Sequence, residues 1–275
     1  MKRRKWLIYL LVLVMCLGYI LYDSKYHLEV TEYSLSSYKL PEAFDGYRIV
    51  QLSDLHAMEF GRGNRRLIEA VADLSPDLIA LTGDYIETAG DIPITKHLVK
   101  ALSQIAPVYF CSGNHDWASG AAPDLRCAIE DSGGTYLGEQ YALETRGEQF
   151  IVIAGVEDPN SYADLIHPDA FMETVSQNYP DAFTILLGHR NDWPEQYPDL
   201  PADLIFSGHG HGGILRLPGI GGLLGTDHKF FPEYDAGLFP SNHYIMAVSR
   251  GLGSFDRLPR FLNRPEILSL TLHCG

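Results

Sequence analysis

Short apolar runs that stop at glycine or at a polar cluster recur along most of the chain. Tyr47–Leu52, Leu78–Leu81, Val108–Cys111, Phe150–Ala154, Phe183–Leu187 and Leu204–Phe206 have the length and composition of buried strands. Between them the apolar positions change to a helical spacing. Leu67, Ile68 and Val71 share one face of a helix predicted over Arg65–Leu74, with Asn64 placed to cap it and Pro76 to end it. Leu98, Leu102 and Ile105 form the stripe of a second helix, Ile94–Ile105. Asp124–Asp131 and Pro168–Asn178 are two more, the first followed by a Gly133-Gly134 turn. Tyr26–Leu35 reads as an exposed first strand before the Pro41 and Asp45-Gly46 turn, and Tyr244–Val248 and Ile267–Leu272 as the clearest strands of the tail. Strands alternating with helices favour α/β layering over an all-β fold. The glycine-rich run Ile214–Leu224 is read as a hairpin filling the core, the alternative being a loop that touches acyl chains or the bilayer.

The first residues follow another pattern. Lys2-Arg3-Arg4-Lys5 precedes the uncharged, mostly apolar run Trp6–Tyr22, with aromatics at both ends where interfacial rings belong. As a helix this run is about 25 Å long, near the lower limit for a hydrocarbon core. It exceeds a usual signal-peptide core and no A-x-A-like cleavage site follows it, so an uncleaved anchor is expected, with the basic end cytoplasmic and the rest outside. Arg3-Arg4-Lys5-Trp6-Leu7 is an incomplete match to a twin-arginine export signal.

Composition narrows the partners. The 275 residues suffice for one sizeable core, and the net charge is −14 although the basic N-terminal cluster lies outside the body. That balance argues against a long nucleic acid. Cys16, Cys111, Cys127 and Cys274 have no C-x-x-C spacing and are expected as buried free thiols.

Five of the strands end in residues that can bind metal: Asp54 and His56, Asp84, Asn114 and His115, His189, and His209 with His211. Alternation would point His209 and His211 to the same side. Each fragment alone is weak, since Asp-x-His and Gly-Asp are common at turns. Together they are hard to explain as packing, because buried Asp and His without partners carry a large desolvation penalty. Open α/β sheets place their crevices at the carboxyl ends of strands, so one shared metal site is expected there.

The ordered set Asp54-x-His56, Gly83-Asp84, Gly113-Asn114-His115-Asp116, Gly188-His189 and Gly208-His209-x-His211 resembles the calcineurin-like metallophosphoesterase superfamily, most of all its bacterial membrane-associated phosphodiesterase branch. The similarity runs from Tyr47 to the C-terminus and includes Phe231–Leu238 and Val248–Gly253. It implies a four-layer αββα sandwich of two mixed β-sheets flanked by helices, with residues 24–275 as the catalytic domain and 1–23 as the anchor. It also implies two divalent metal ions (Mn, Fe or Zn). One would be held by Asp54, His56 and His211, the other by Asn114, His189 and His209, with Asp84 bridging. His115 would be the general acid beside the leaving group, Asp116 would orient it, and a metal-bridging hydroxide would attack phosphorus in line.

Three positions depart from the family pattern. Glu87 stands where a second aspartate is frequent, Ile214 where a glutamine is, and Arg190 where an asparagine follows the histidine. Arg190 is either a solvated surface residue or faces substrate. Arg250 either clamps a phosphate or is ion-paired in a turn. His27, His97, His167, His228, His243 and His273 lie outside the motif set and are expected at the surface or in structural roles. The expected activity is hydrolysis of small or lipid-linked phosphodiesters or pyrophosphates at the cell envelope. The alternatives are a phosphomonoesterase for nucleotides or sugar phosphates, and a non-catalytic protein that binds cell-wall polymer.

Overall fold

A computed structural model describes residues 2–161, 165–226, 229–254 and 259–275, with side chains from residue 5 onward. His228 lies outside the described residues. Helix α1, Lys2–Tyr26, carries the apolar run. Its 25 residues rise about 37 Å, and Lys5–Tyr26 is long and apolar enough to cross a membrane. The first strand was expected to begin at Tyr26. Instead the helix runs through that residue and β1, Glu29–Ser37, starts beyond it. Arg264 explains the extra turns: its guanidinium holds the Asp23 carboxylate at 2.7 and 3.0 Å and ties the helix end to the body.

The body contains β2 (Tyr47–Leu52), β3 (Leu78–Thr82), β4 (Val108–Cys111), β5 (Gly134–Tyr136), β6 (Gln140–Arg146), β7 (Gln149–Gly155), β8 (Thr184–Leu187) and β9 (Leu204–Ser207). The short pair β10 (Arg216–Leu217) and β11 (Gly221–Gly222) follows, then β12 (Gly237–Pro240), β13 (Ile245–Val248) and β14 (Glu266–Cys274). One sheet has the order β1-β14-β2-β3-β4-β5 and the other β12-β13-β9-β8-β7-β6. Both are mixed: β2, β3, β4 and β5 are parallel while β14 runs against β2, and β7, β8, β9 and β13 are parallel between antiparallel edges.

Alternation within the strands builds the layers. Ile49, Leu78, Ala80 and Cys111 from one sheet meet Ile153, Ile185, Leu187 and Phe206 from the other in the central core. Val50, Leu52, Ile79 and Leu81 face outward under α2 (Arg65–Asp73), α3 (Ile92–Leu102) and, beyond the short α4 (Asn114–Ala118), α5 (Ala122–Glu130). Val152, Leu186, Ile205 and Met246 face outward under α6 (Pro168–Asn178) and α7 (Trp193–Gln196). Covered on both sides, the central strands are mostly apolar, hence the near-continuous runs in the sequence. The result is the expected αββα sandwich.

Three local expectations fail. Of the four cysteines, expected to be buried, only Cys111 is; Cys16, Cys127 and Cys274 are exposed. Asn64 does not cap α2; it sits at φ 59° and its side chain accepts the Phe60 N–H at 2.9 Å, closing the preceding turn. The run Ile214–Leu224 is a hairpin, but only part of it is buried, and Ile220 at its turn is 62% exposed. Because Phe206 is fully buried between the sheets, Phe206→Ala is expected to destabilise the protein by ~3–5 kcal/mol. The check is the denaturant midpoint of the full-length protein in detergent; a change below ~1 kcal/mol would mean that the sheets do not pack through this ring.

Candidate metal centre

All five ligand-bearing strands end at one edge of the sandwich. β2, β3 and β4 bring Asp54, His56, Asp84, Asn114 and His115 from the first sheet, and β8 and β9 bring His189, His209 and His211 from the second. The chain must turn sharply to aim these side chains. Asp54, His56, Asp84, His209 and His211 all adopt positive φ between 46° and 63°, a conformation that costs a non-glycine residue ~1–3 kcal/mol. Alternation therefore does not govern His209 and His211. They lie in a turn and approach different neighbours.

Three groups of possible ligand atoms lie within 4.8 Å of one another: Asp54, His56 and His211; His56, Asp84 and His115; and Asp84, His189 and His209. His56 Nε2 and His211 Nε2 are 3.1 Å apart, and His211 Nε2 is 3.4 Å from Asp54 Oδ1. His189 Nε2 is 3.1 Å from Asp84 Oδ2 and 3.2 Å from the Asn114 amide oxygen. Metal bonds of ~2.0–2.2 Å meeting at tetrahedral or octahedral angles place neighbouring donors ~3.0–3.5 Å apart, so these separations suit a shared cation.

The proton inventory leads to the same place. His189 Nδ1 faces the Thr82 carbonyl at 2.8 Å, an acceptor only, so Nδ1 carries a hydrogen. A neutral ring then turns the Nε2 lone pair toward two oxygens that also have only lone pairs to offer. That convergence is stable around an extra proton or a cation. His56 is arranged similarly, its Nδ1 held by the Glu87 carboxylate and its Nε2 turned inward.

The electrostatics follow from burial and proximity. Burial raises the Asp54 carboxyl, while Asp84 is held below its ordinary range despite burial, by His189 and then His56 and His115. Burial alone would lower His189; the charges of Asp84 and Asp54 override it and raise the ring to about 10. Burial pushes His209 and His211 well below the ordinary imidazole value, with His189 and His56 respectively adding repulsion. A neutral imidazole is the form that binds metal.

His115 stands at the opening, its side chain 18% exposed where His56 and His189 are 2% and 0%. Its Nδ1 lies 3.0 Å from Glu87 Oε2. Against burial, that hydrogen bond raises His115, and the two histidines hold Glu87 down at about 2. Asp116 is not in the orienting position expected of it. It is fully buried, and its two oxygens accept the backbone N–H groups of Gly113, Asp84, Tyr85 and Ile86 at 2.8–3.1 Å. It shapes the loop that carries Asp84 and cannot touch a substrate.

Arg190 faces the site. Its Nε and Nη2 grip the buried Asp158 at 2.7 and 3.1 Å and its Nη1 lies 3.2 Å from His209 Nε2. It also lines a cavity of about 600 Å³ beside His189. Arg250 is ion-paired, to Glu266 at 2.9 Å and Glu29 at 3.0 Å. The sequence reading did not single out Asp158, whose only signal was its place after β7. It also passed over the buried Arg260, which donates to the Gly253 and Gly251 carbonyls and which burial lowers to about 10. Gly113 and Gly208 are required by close approach: a Cβ on either would overlap the Asp84 or Asp54 carboxylate.

A model of the calcineurin-like phosphoesterase family matches residues 47–213. The metallophosphoesterase YkuE of Bacillus subtilis is 31% identical over 266 residues, covering 93% of this chain and 89% of its own. The phosphodiesterase YaeI of Escherichia coli is 29% identical over 93% of this chain and 92% of its own. The UDP-2,3-diacylglucosamine pyrophosphatase LpxG of Chlamydia muridarum is 27% identical over 88% of this chain and 89% of its own. The matched segment spans all eight acidic, amide and imidazole positions at the strand ends, and the chain belongs to the calcineurin-like phosphoesterase family of metal-dependent phosphoester hydrolases.

Proposed function

We propose that the protein is a phosphodiesterase or pyrophosphatase that acts on small or lipid-linked phosphoesters beside the membrane holding α1. The supporting observation is the convergence of Asp84, His189 and Asn114 acceptor atoms, repeated by Asp54, His56 and His211, with His115 at the mouth. In this reading Asp54, His56 and His211 would hold one divalent cation and Asn114, His189 and His209 a second, with Asp84 available to both. When bound, such a pair acidifies water and neutralises charge on the phosphoryl group. The remaining work belongs to the chain. Glu87 holds the rings of His56 and His115 together through their Nδ1 atoms, and His115, at the opening, would give a proton to the departing oxygen. Arg190 has one guanidinium nitrogen directed into the site while Asp158 holds the rest of its fork. The names of YaeI and LpxG, a phosphodiesterase and a pyrophosphatase of a diacylated sugar nucleotide, favour a diester or anhydride over a monoester. Residues 24–275 form the catalytic domain, and the basic flank of α1 puts that domain outside the cytoplasm.

Two variants separate binding from proton transfer. Asp84→Asn should lower metal content and turnover together. His115→Ala should retain metal and lose turnover by ~10²–10⁴-fold. Elemental analysis alongside a phosphoester assay reads both, and equal metal loss in the two variants would contradict the division of roles. With manganese supplied, bis-p-nitrophenyl phosphate should be hydrolysed faster than p-nitrophenyl phosphate. The reverse preference would favour the monoesterase, and no hydrolysis of either would favour a binding protein.

A further inference from the structure

The hairpin that follows His211 exposes side chains that a water-facing loop would not retain. Ile220 at its turn is 62% exposed, Phe230 75%, Phe231 64% and Leu262 40%. The two segments that carry them form one surface. Leu215 bridges Phe261, the Phe261 N–H donates to the Ile214 carbonyl at 3.3 Å, Leu224 bridges Phe230, and the Phe231 N–H donates to the Leu223 carbonyl at 3.1 Å. Clustered exposed aromatic and aliphatic side chains mark contact with another phase or partner.

The position of α1 identifies the occupant. Arg264, two residues after Leu262, is bound to Asp23 near the helix end at 2.7 and 3.0 Å. Only His27 and Leu28 separate α1 from β1, a reach of roughly 7 Å. With α1 in a bilayer, no spacer can lift this rim away from the headgroups. Burying a phenylalanine side chain in an apolar phase is favourable, so with α1 in a bilayer the rim has a driving force to enter the lipid beside it.

The rim is also coupled to the site. The Arg216 guanidinium donates to the Gly212 carbonyl at 2.7 Å and pairs with Asp235 at 2.9 Å. Gly222 packs so closely on Gly213 that a Cβ there would come within 2.7 Å of its Cα. Gly212 and Gly213 directly follow His211 in the chain.

We propose that Ile220, Phe230, Phe231 and Leu262 form a second, interfacial contact with the bilayer that anchors α1, holding the His211 edge of the metal centre against the lipid surface. This rests on α1 lying in a membrane and deepens the proposed function: the substrate class is a phosphoester presented at headgroup depth.

Tryptophan quenching by brominated phosphatidylcholine in nanodiscs holding one full-length copy tests it. Trp117 and Trp193 remain in a Trp6→Phe parent, whose emission is subtracted. Against it, the emission added by Phe230→Trp and by Ile220→Trp should each be quenched about twofold, as expected for insertion ~5–10 Å into the interface. The emission added by Leu143→Trp, on the far edge strand β6, should be unaffected. The difference between the unchanged protein and the Trp6→Phe parent reports α1 itself. Quenching at Trp6 with none at positions 220 and 230 would overturn the rim contact and leave the anchor standing; that is also the result if a protein partner or a second copy covers the rim. No quenching at Trp6 would overturn the anchor and the rim contact with it.

Discussion

Lone pairs facing lone pairs set the terms for the whole molecule. His189 Nε2, Asp84 Oδ2 and the Asn114 oxygen meet within 3.2 Å, in a place where His189 and Asp84 are almost wholly buried. Water cannot relieve the repulsion, so a positive charge must. Bringing those atoms together requires strand ends from two different sheets, and the two-sheet sandwich provides them. The left-handed backbone at Asp54, His56, Asp84, His209 and His211 is the local consequence. Strain of ~1–3 kcal/mol at each residue persists only because strands buried on both faces fix the positions from which the loops depart.

The carboxylates at the site divide between two tasks. The buried Asp54 and Asp84 and the half-exposed Glu87 face the cluster or the rings around it, and the buried Asp116 and Asp158 hold the loops that shape it. Asp116 satisfies four backbone N–H groups at a site with no room for water, so its charge serves the fold. Burial next to Asp84 raises its carboxyl to about 7. Asp158 binds a single cation, Arg190, and so turns a flexible surface residue into a fixed one at the edge of the cavity. The glutamate at position 87 reaches two imidazoles at once, which the shorter aspartate frequent in the family would do less readily.

How much of this the sequence disclosed depended on distance along the chain. The core strands were legible, Val108–Cys111 and Tyr47–Leu52 to the residue, because full burial writes a continuous apolar run. The strand-end residues were legible because each follows such a run directly. Asp116 and Asn64 were misread because their hydrogen-bond partners are set by loop geometry, which has no sequence periodicity. Arg190 stayed ambiguous because its partner, Asp158, is 32 positions away. The edge strand β6, Gln140–Arg146, was missed altogether, since half-exposed alternation interrupted by charges looks like a loop.

The hairpin after His211 shows the limit most clearly, because its apolar run fits a core strand and an interfacial loop equally well. Periodicity cannot separate them, since both bury the same side chains and differ only in the phase that receives them. What separates them is the partner of Arg264. Its ion pair with Asp23 places the Leu262 segment at the end of the apolar helix, and from there the backbone bonds from Phe261 to Ile214 and from Phe231 to Leu223 carry the position to the hairpin. An exposed phenylalanine is anomalous on a protein surrounded by water and ordinary on one whose anchor lies a few residues away. The same chain of contacts ends at Gly212 and Gly213, so the rim and the loop that carries His211 are held by one set of bonds.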